Sequence, residues 1–257
     1  MSVLFYKQTG AALLLVLLAL AFSVAPALAE MPATPDTSVS NIPITQTQNS
    51  TPAGLRLSDA EEDSQTPAGS KPYVIVAFGD SLTAGYLLGP DEGFVPQLQA
   101  ALRAKGHDNV MVRDAGVSGD TTSGGLSRLE WSVGAETDAV ILELGANDAL
   151  RGIDPSVTQA NLAMMIKTLQ ARSIKVLLVG MLAPPNMGRE YADAFNPIYP
   201  DLARRFDLDL YPFFLDGVAA NPKHTLADGM HPNPEGVAVM VKGILPKVET
   251  LLLPSGN

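Results

Sequence analysis

Tyr73-Val74-Ile75-Val76-Ala77-Phe78 runs directly into Gly79-Asp80-Ser81-Leu82-Thr83-Ala84-Gly85. The first six residues are apolar without alternation, and three are β-branched, which describes a strand buried on both faces. Strands of that kind belong to parallel sheets covered by helices, so this junction decides the expected fold class. Comparable runs follow at Val110-Met111-Val112, Ala139-Val140-Ile141-Leu142, Ile174-Lys175-Val176-Leu177-Leu178-Val179 and Leu208-Asp209-Leu210-Tyr211. Amphipathic stretches separate them, such as Phe94 to Ala104 and Val157 to Ala171. In the second, Leu162, Met165, Ile166 and Leu169 recur at helical spacing. Pro234 to Leu253 reads as a closing helix, with Pro246 as a kink or break. Strand and helix alternating about five times predict an α/β fold with a parallel sheet and helices on both faces.

Upstream of Pro72 the composition differs. Met1 to Gly10 carries one basic side chain, Lys7. Ala11 to Leu28 is apolar apart from Ser23 and Pro26, and Ala27-Leu28-Ala29 follows. This pattern reads as an export signal over residues 1–29, cleaved after Ala29. The alternative is an uncleaved membrane anchor, for which the run is borderline in length. Residues 30–71 are rich in Pro, Thr, Ser, Gln and Asn and contain no aromatic residue. Such a segment buries too little apolar surface to offset its ordering entropy, and it is expected to be a disordered linker. One folded domain is left, at 72–257.

The 257 residues include no cysteine, which excludes a disulfide scaffold, a thiolate metal site and a cysteine nucleophile. A net charge of −10 argues against a nucleic-acid partner.

Open α/β sheets bind ligands beyond the carboxyl ends of their strands. The loops there are Gly79 to Gly85, Asp114-Ala115-Gly116-Val117-Ser118-Gly119-Asp120-Thr121 and Gly145-Ala146-Asn147-Asp148, with Asp228-Gly229-Met230-His231-Pro232 before the last helix. A serine nucleophile needs a base within hydrogen-bond reach. Of the three histidines, His107 lies in a turn after a helix and His224 in a loop. Only His231 has an aspartate three residues earlier on the same short segment. Asp228 could then accept the Nδ1 proton while Nε2 faces Ser81. Donors for an oxyanion are available in the Ser81 N–H, the Gly119 N–H and the Asn147 amide. Asp80, Asp120 and Asp148 are expected to brace these loops. No helix-borne histidine pair or calcium-loop pattern supports a metal site, and no phosphate-binding loop is present.

These four blocks, in this order, resemble those of the GDSL, or SGNH, hydrolases: Gly79-Asp80-Ser81-Leu82, Gly119, Gly145-x-Asn147-Asp148 and Asp228-x-x-His231. The stretches Ser118 to Thr121, Glu143 to Gly152, Asn196 to Pro200 and Pro212 to Leu215 resemble the bacterial exported thioesterase, lysophospholipase and arylesterase group. The resemblance implies a flavodoxin-like three-layer α/β/α sandwich with a five-stranded parallel sheet. It implies a catalytic triad of Ser81, Asp228 and His231, and an oxyanion hole of Ser81, Gly119 and Asn147. No metal or other cofactor is expected. The implied substrates are aryl esters, acyl thioesters or lysophospholipids, hydrolysed by a periplasmic or secreted monomer without a stable protein partner.

Two segments are candidates to shape the substrate site. Ala149 to Gly152 reads as a mobile loop over the pocket or as a plain connection, which makes Leu150 a candidate contact. Pro184 to Tyr191 reads as an acyl groove or as a structural turn, which makes Met187 and Tyr191 candidates. Two rival readings are a carbohydrate-deacetylating esterase and a non-catalytic binding domain on the same scaffold. A single tryptophan, Trp131, gives the first little support.

Overall fold

The computed structural model describes residues 71–253. The expected export signal lies outside the described residues, as does the expected linker up to Ser70. The elements run in order β1 (Tyr73–Gly79), α1 (Ser81–Ala84), α2 (Phe94–Ala104), β2 (Val110–Gly116), α3 (Thr122–Ser132) and β3 (Ala139–Glu143). They continue with α4 (Ala146–Leu150), α5 (Pro155–Ala171), β4 (Lys175–Val179), α6 (Arg189–Phe195), α7 (Ile198–Phe206), β5 (Asp209–Tyr211) and α8 (Pro234–Leu251). The five strands form one parallel sheet in the order β2-β1-β3-β4-β5. α2 packs on α8, while α5 lies between α3 and α7.

This order explains the burial. β1 and β3 are interior strands, and from Val74 to Phe78 and Ala139 to Glu143 every residue is buried. β2 is an edge strand whose residues alternate at its start, with Val110 and Val112 inward and Met111 and Arg113 outward. It extends past the expected Val112 to Gly116, because β1 pairs with it over seven positions, from Tyr73↔Val110 to Gly79↔Gly116.

Helix starts follow local chemistry. Asp154 caps α5 by accepting from the Ser156 N–H, with Pro155 at the first helical position. Asn233 does the same for α8 through Gly236, ahead of Pro234. Contrary to the expected break, α8 continues through Pro246 to Leu251. Ile244 and Val248 on either side are fully buried, and that tertiary packing offsets the hydrogen bond proline removes.

The chain leaves β1 to one side for β2 and returns to the other side for β3. The crevice of the fold therefore opens at the carboxyl ends of β1 and β3.

Candidate active site

Ser81 begins α1 immediately after β1. Asp80, wholly buried, caps that helix by accepting the Leu82 N–H at Oδ1, 3.0 Å away. Gly79, with no side chain, leaves the room in which the chain turns from strand to helix. A Cβ there would overlap the Thr83 hydroxyl and the Glu143 carboxylate, and would lie 2.7 Å from the Glu143 carbonyl oxygen.

His231 arrives from the other end of the chain on a loop braced by its own backbone. The Leu226 N–H donates to the His231 carbonyl (2.8 Å), and the Asn233 N–H donates to the His224 carbonyl (2.9 Å). Asp228 shapes the turn, its Oδ1 accepting the Met230 and His231 N–H groups at 2.9 and 3.0 Å. Its other oxygen lies 2.6 Å from His231 Nδ1, and His231 Nε2 lies 2.9 Å from Ser81 Oγ. The His231 ring, aided by those two backbone N–H groups, holds the Asp228 carboxyl down at about 2. Asp228 is then ionised and can only accept. Nδ1 must donate to it, and a neutral imidazole presents Nε2 as the acceptor for the Ser81 hydroxyl. That is the protonation pattern in which a histidine can take a proton from a serine. Tyr86 lies over the imidazole, with ring centroids 4.7 Å apart at 43°. The other two histidines are engaged elsewhere, His107 with Glu249 and His224 with the Gly217 carbonyl.

The expected oxyanion donors flank this line. Gly119 sits in a turn closed by the Asp120 N–H to the Val117 carbonyl at 3.0 Å, with φ of 81°, which glycine adopts at little cost. Among the described residues, neither the Gly119 nor the Ser81 N–H is taken by a loop or cap carbonyl. Asn147 lies in the first turn of α4, and its Nδ2 donates to Asp80 Oδ2 at 3.0 Å. Asp148 faces away into the fold, where its carboxylate accepts the Thr122 N–H (2.8 Å) and the Thr158 hydroxyl (3.0 Å).

Several contributors were not evident from the sequence. Arg128, 6% exposed, pairs with Asp120 at 2.6 Å and donates to the carbonyls of Ala115 and Gly79. It thereby ties the ends of β2 and β1 to the Gly119 turn. Arg151 donates to the Gly119 carbonyl at 2.7 Å. Glu143, at the end of β3, is wholly buried. Its Oε2 accepts the Asp80 N–H (3.3 Å) and the Thr83 hydroxyl (2.9 Å), and among the described residues its Oε1 has no partner. Burial, then the adjacent Asp80, push the Glu143 carboxyl well above the usual range. Burial also raises Asp80, to about 6, against hydrogen bonds from Leu82 and Asn147 that pull it down. A glutamate in a strand otherwise apolar was the one available hint.

The candidate substrate contacts fall on one side. Leu150 is about half exposed. Met187 packs against Gly152, and the Tyr191 hydroxyl donates to the Ile153 carbonyl at 2.7 Å while its ring stacks on Phe195. Met187 and Tyr191 therefore support the 150–153 connection.

Residues 77–239 match the GDSL-like lipase/acylhydrolase family. The chain belongs to that family. This GDSL-family chain is 41% identical over 162 residues to an arylesterase of Vibrio mimicus, covering 63% of this chain and 80% of the relative. It is 38% identical over 160 residues to the thioesterase 1/protease 1/lysophospholipase L1 of Escherichia coli K12, covering 62% and 75%. Its fold is similar to that of AlinE4, an SGNH-hydrolase family esterase of known crystal structure. There the TM-score is 0.60 and the identity 42%, over 73% of this chain and all of that one. The GDSL-family chain is thus an ester-hydrolysing enzyme built on an α/β fold of SGNH type.

Proposed function

We propose that this enzyme hydrolyses acyl esters and thioesters, including aryl esters and lysophospholipids, through an acyl-enzyme on Ser81. The observation that carries the reading is the continuous line from Ser81 Oγ through His231 to Asp228, at 2.9 and 2.6 Å. Ser81 Oγ attacks the acyl carbonyl as its proton passes to His231 Nε2. Asp228 holds the tautomer and stabilises the imidazolium. The Ser81 N–H, the Gly119 N–H and the Asn147 amide hold the oxyanion. His231 returns the proton to the departing alcohol or thiol, and water then cleaves the acyl-enzyme by the same route reversed. The exposed Leu150 and the Met187–Tyr191 segment behind it form the acyl side of the site.

The pattern of residues 1–29 supports an exported enzyme, periplasmic or secreted, joined by the 30–71 segment to its catalytic domain. Among the described residues no helix is long and apolar enough to cross a membrane. Mature protein beginning at Glu30 would support cleavage.

The test is turnover on p-nitrophenyl esters from acetyl to palmitoyl, an acyl thioester and a lysophospholipid, alongside labelling by a fluorophosphonate. Ser81→Ala should abolish labelling and turnover. Labelling that persists would place the nucleophile elsewhere, and no turnover on any ester would remove the enzymatic reading.

A further inference from the structure

Beneath the nucleophile lies a buried acidic residue that the hydrolytic steps above do not use. Asp80 is fully shielded from solvent, and both of its carboxylate oxygens are engaged. Oδ1 receives the Leu82 N–H and Oδ2 receives the Asn147 amide, each at 3.0 Å. Capping alone does not explain a carboxylate here. Serine, threonine or asparagine would cap α1 as well, without the cost of burying a charge. Asp80 also sits close to other titratable groups: His231, Asp120 (paired with Arg128) and the Glu143 carboxyl below it.

We propose that Asp80 is a positioning residue that aims the Asn147 amide at the oxyanion, on a platform formed by Glu143 and Thr83. The proposal rests on the reading of Asn147 as an oxyanion donor. The two ends of an asparagine amide are nearly the same shape, and a half-turn would replace a donor with a carbonyl oxygen facing developing negative charge. An ionised carboxylate accepts and cannot donate, so beside Asp80 only the NH2 end of Asn147 fits. One hydrogen of that NH2 is held by Oδ2, and the other is left for substrate. Asp80 cannot rotate to release it, because Oδ1 is fixed by the helix cap and its own N–H is held by Glu143 Oε2. Gly79 leaves the space in which the Thr83 hydroxyl and the Glu143 carboxyl meet. The chain from β3 through Glu143, Asp80 and Asn147 thus orients an oxyanion donor from the protein interior.

The experiment is a double-mutant cycle read in kcat and KM on a p-nitrophenyl ester. Its members are wild type, Asp80→Ser, Asn147→Ala and the double variant. Serine keeps the cap on α1 and removes the acceptor for Asn147. Asp80→Ser should lower kcat by about 10- to 100-fold with KM held within about twofold, because the lost interaction acts on the transition state. In the Asn147→Ala background the same substitution should change kcat by less than about threefold. An equal loss in both backgrounds would show that Asp80 acts through the fold of the loop, and would overturn the proposal. So would full kcat in Asp80→Ser. If Asn147→Ala itself keeps full turnover, the oxyanion assignment fails first, which is a different outcome. Should Asp80→Ser not fold, Asp80→Asn replaces it in the cycle. With one oxygen it cannot serve both Leu82 and Asn147, and the same coupling is required of it.

Discussion

Glu143→Gln removes a titratable proton from the floor of the site and leaves its shape. In the folded protein, burial and the neighbouring Asp80 push the Glu143 carboxyl well above its ordinary value of 4.5. In the unfolded chain the same group releases its proton near that ordinary value. Above it, folding must take up one proton, so stability falls as pH rises, by about 1.4 kcal/mol per pH unit, until the folded value is reached. Glutamine carries no such proton. Its carbonyl oxygen can accept from the Asp80 N–H and the Thr83 hydroxyl as Oε2 does now, and its NH2 would occupy the place of the unpartnered Oε1. The neutral contacts should therefore nearly cancel. The two proteins are expected to be about equally stable near pH 4.5. Above that the variant should pull ahead as pH rises, by at most about 1.4 kcal/mol per unit, and the gap should level off once the folded value of Glu143 is passed. Asp80, raised to about 6, also lowers stability as pH rises in both chains, and it cancels from the difference as long as Glu143 keeps its proton and presents an uncharged neighbour, as glutamine does. Urea unfolding at half-unit steps from pH 5 to 8, with m unchanged, measures the gap directly. For a domain of this size each kcal/mol is also worth roughly 2–4 °C in Tm. Parallel stability curves would mean that Glu143 is ionised in the folded protein, and would refute the reasoning.

Asn147→Ala should cost about 10²–10³ in kcat, measured on an aryl ester. It also leaves Asp80 Oδ2 without its donor, so urea unfolding should register a loss of about 1–3 kcal/mol. Gly79→Ala forces a methyl group against the backbone of Glu143 and should destabilise by about 1–3 kcal/mol or more, by the same measurement. Asp228, held at about 2 when folded against an ordinary 3.8, contributes stability that is present above pH 4 and lost as pH falls through 2. The advantage of wild type over Asp228→Asn in thermal unfolding should accordingly be seen at pH 5 and gone by pH 2.

The parts of the site legible in the sequence are those set by local chemistry. Asp228 and His231 are three residues apart in one turn, so their pairing needs only a short loop, and the structure brings them to 2.6 Å. Ser81 follows a run that can only be an interior strand, which places it at the carboxyl edge of the sheet. α3, α6 and α7 gave weaker patterns. α3 carries Gly124-Gly125 and little amphipathic character, so tertiary packing rather than propensity sustains it, while Pro200 lies in the first turn of α7, where a proline removes no intrahelical hydrogen bond.

The sequence by itself determined that this chain forms a parallel α/β domain and that its polar loops fall where such folds bind ligands. Burial pattern and turn chemistry are short-range properties, written within a few residues. Only the tertiary structure decided which residues meet. It set the strand order that places the ends of β1 and β3 side by side, and the approach of His231 to a serine 150 positions away. It also gave Arg128 its hold on two strand ends and stacked Glu143, Asp80 and Asn147 beneath Ser81. These contacts join segments far apart in the chain, and their energies depend on burial that exists only once the sheet has closed around them.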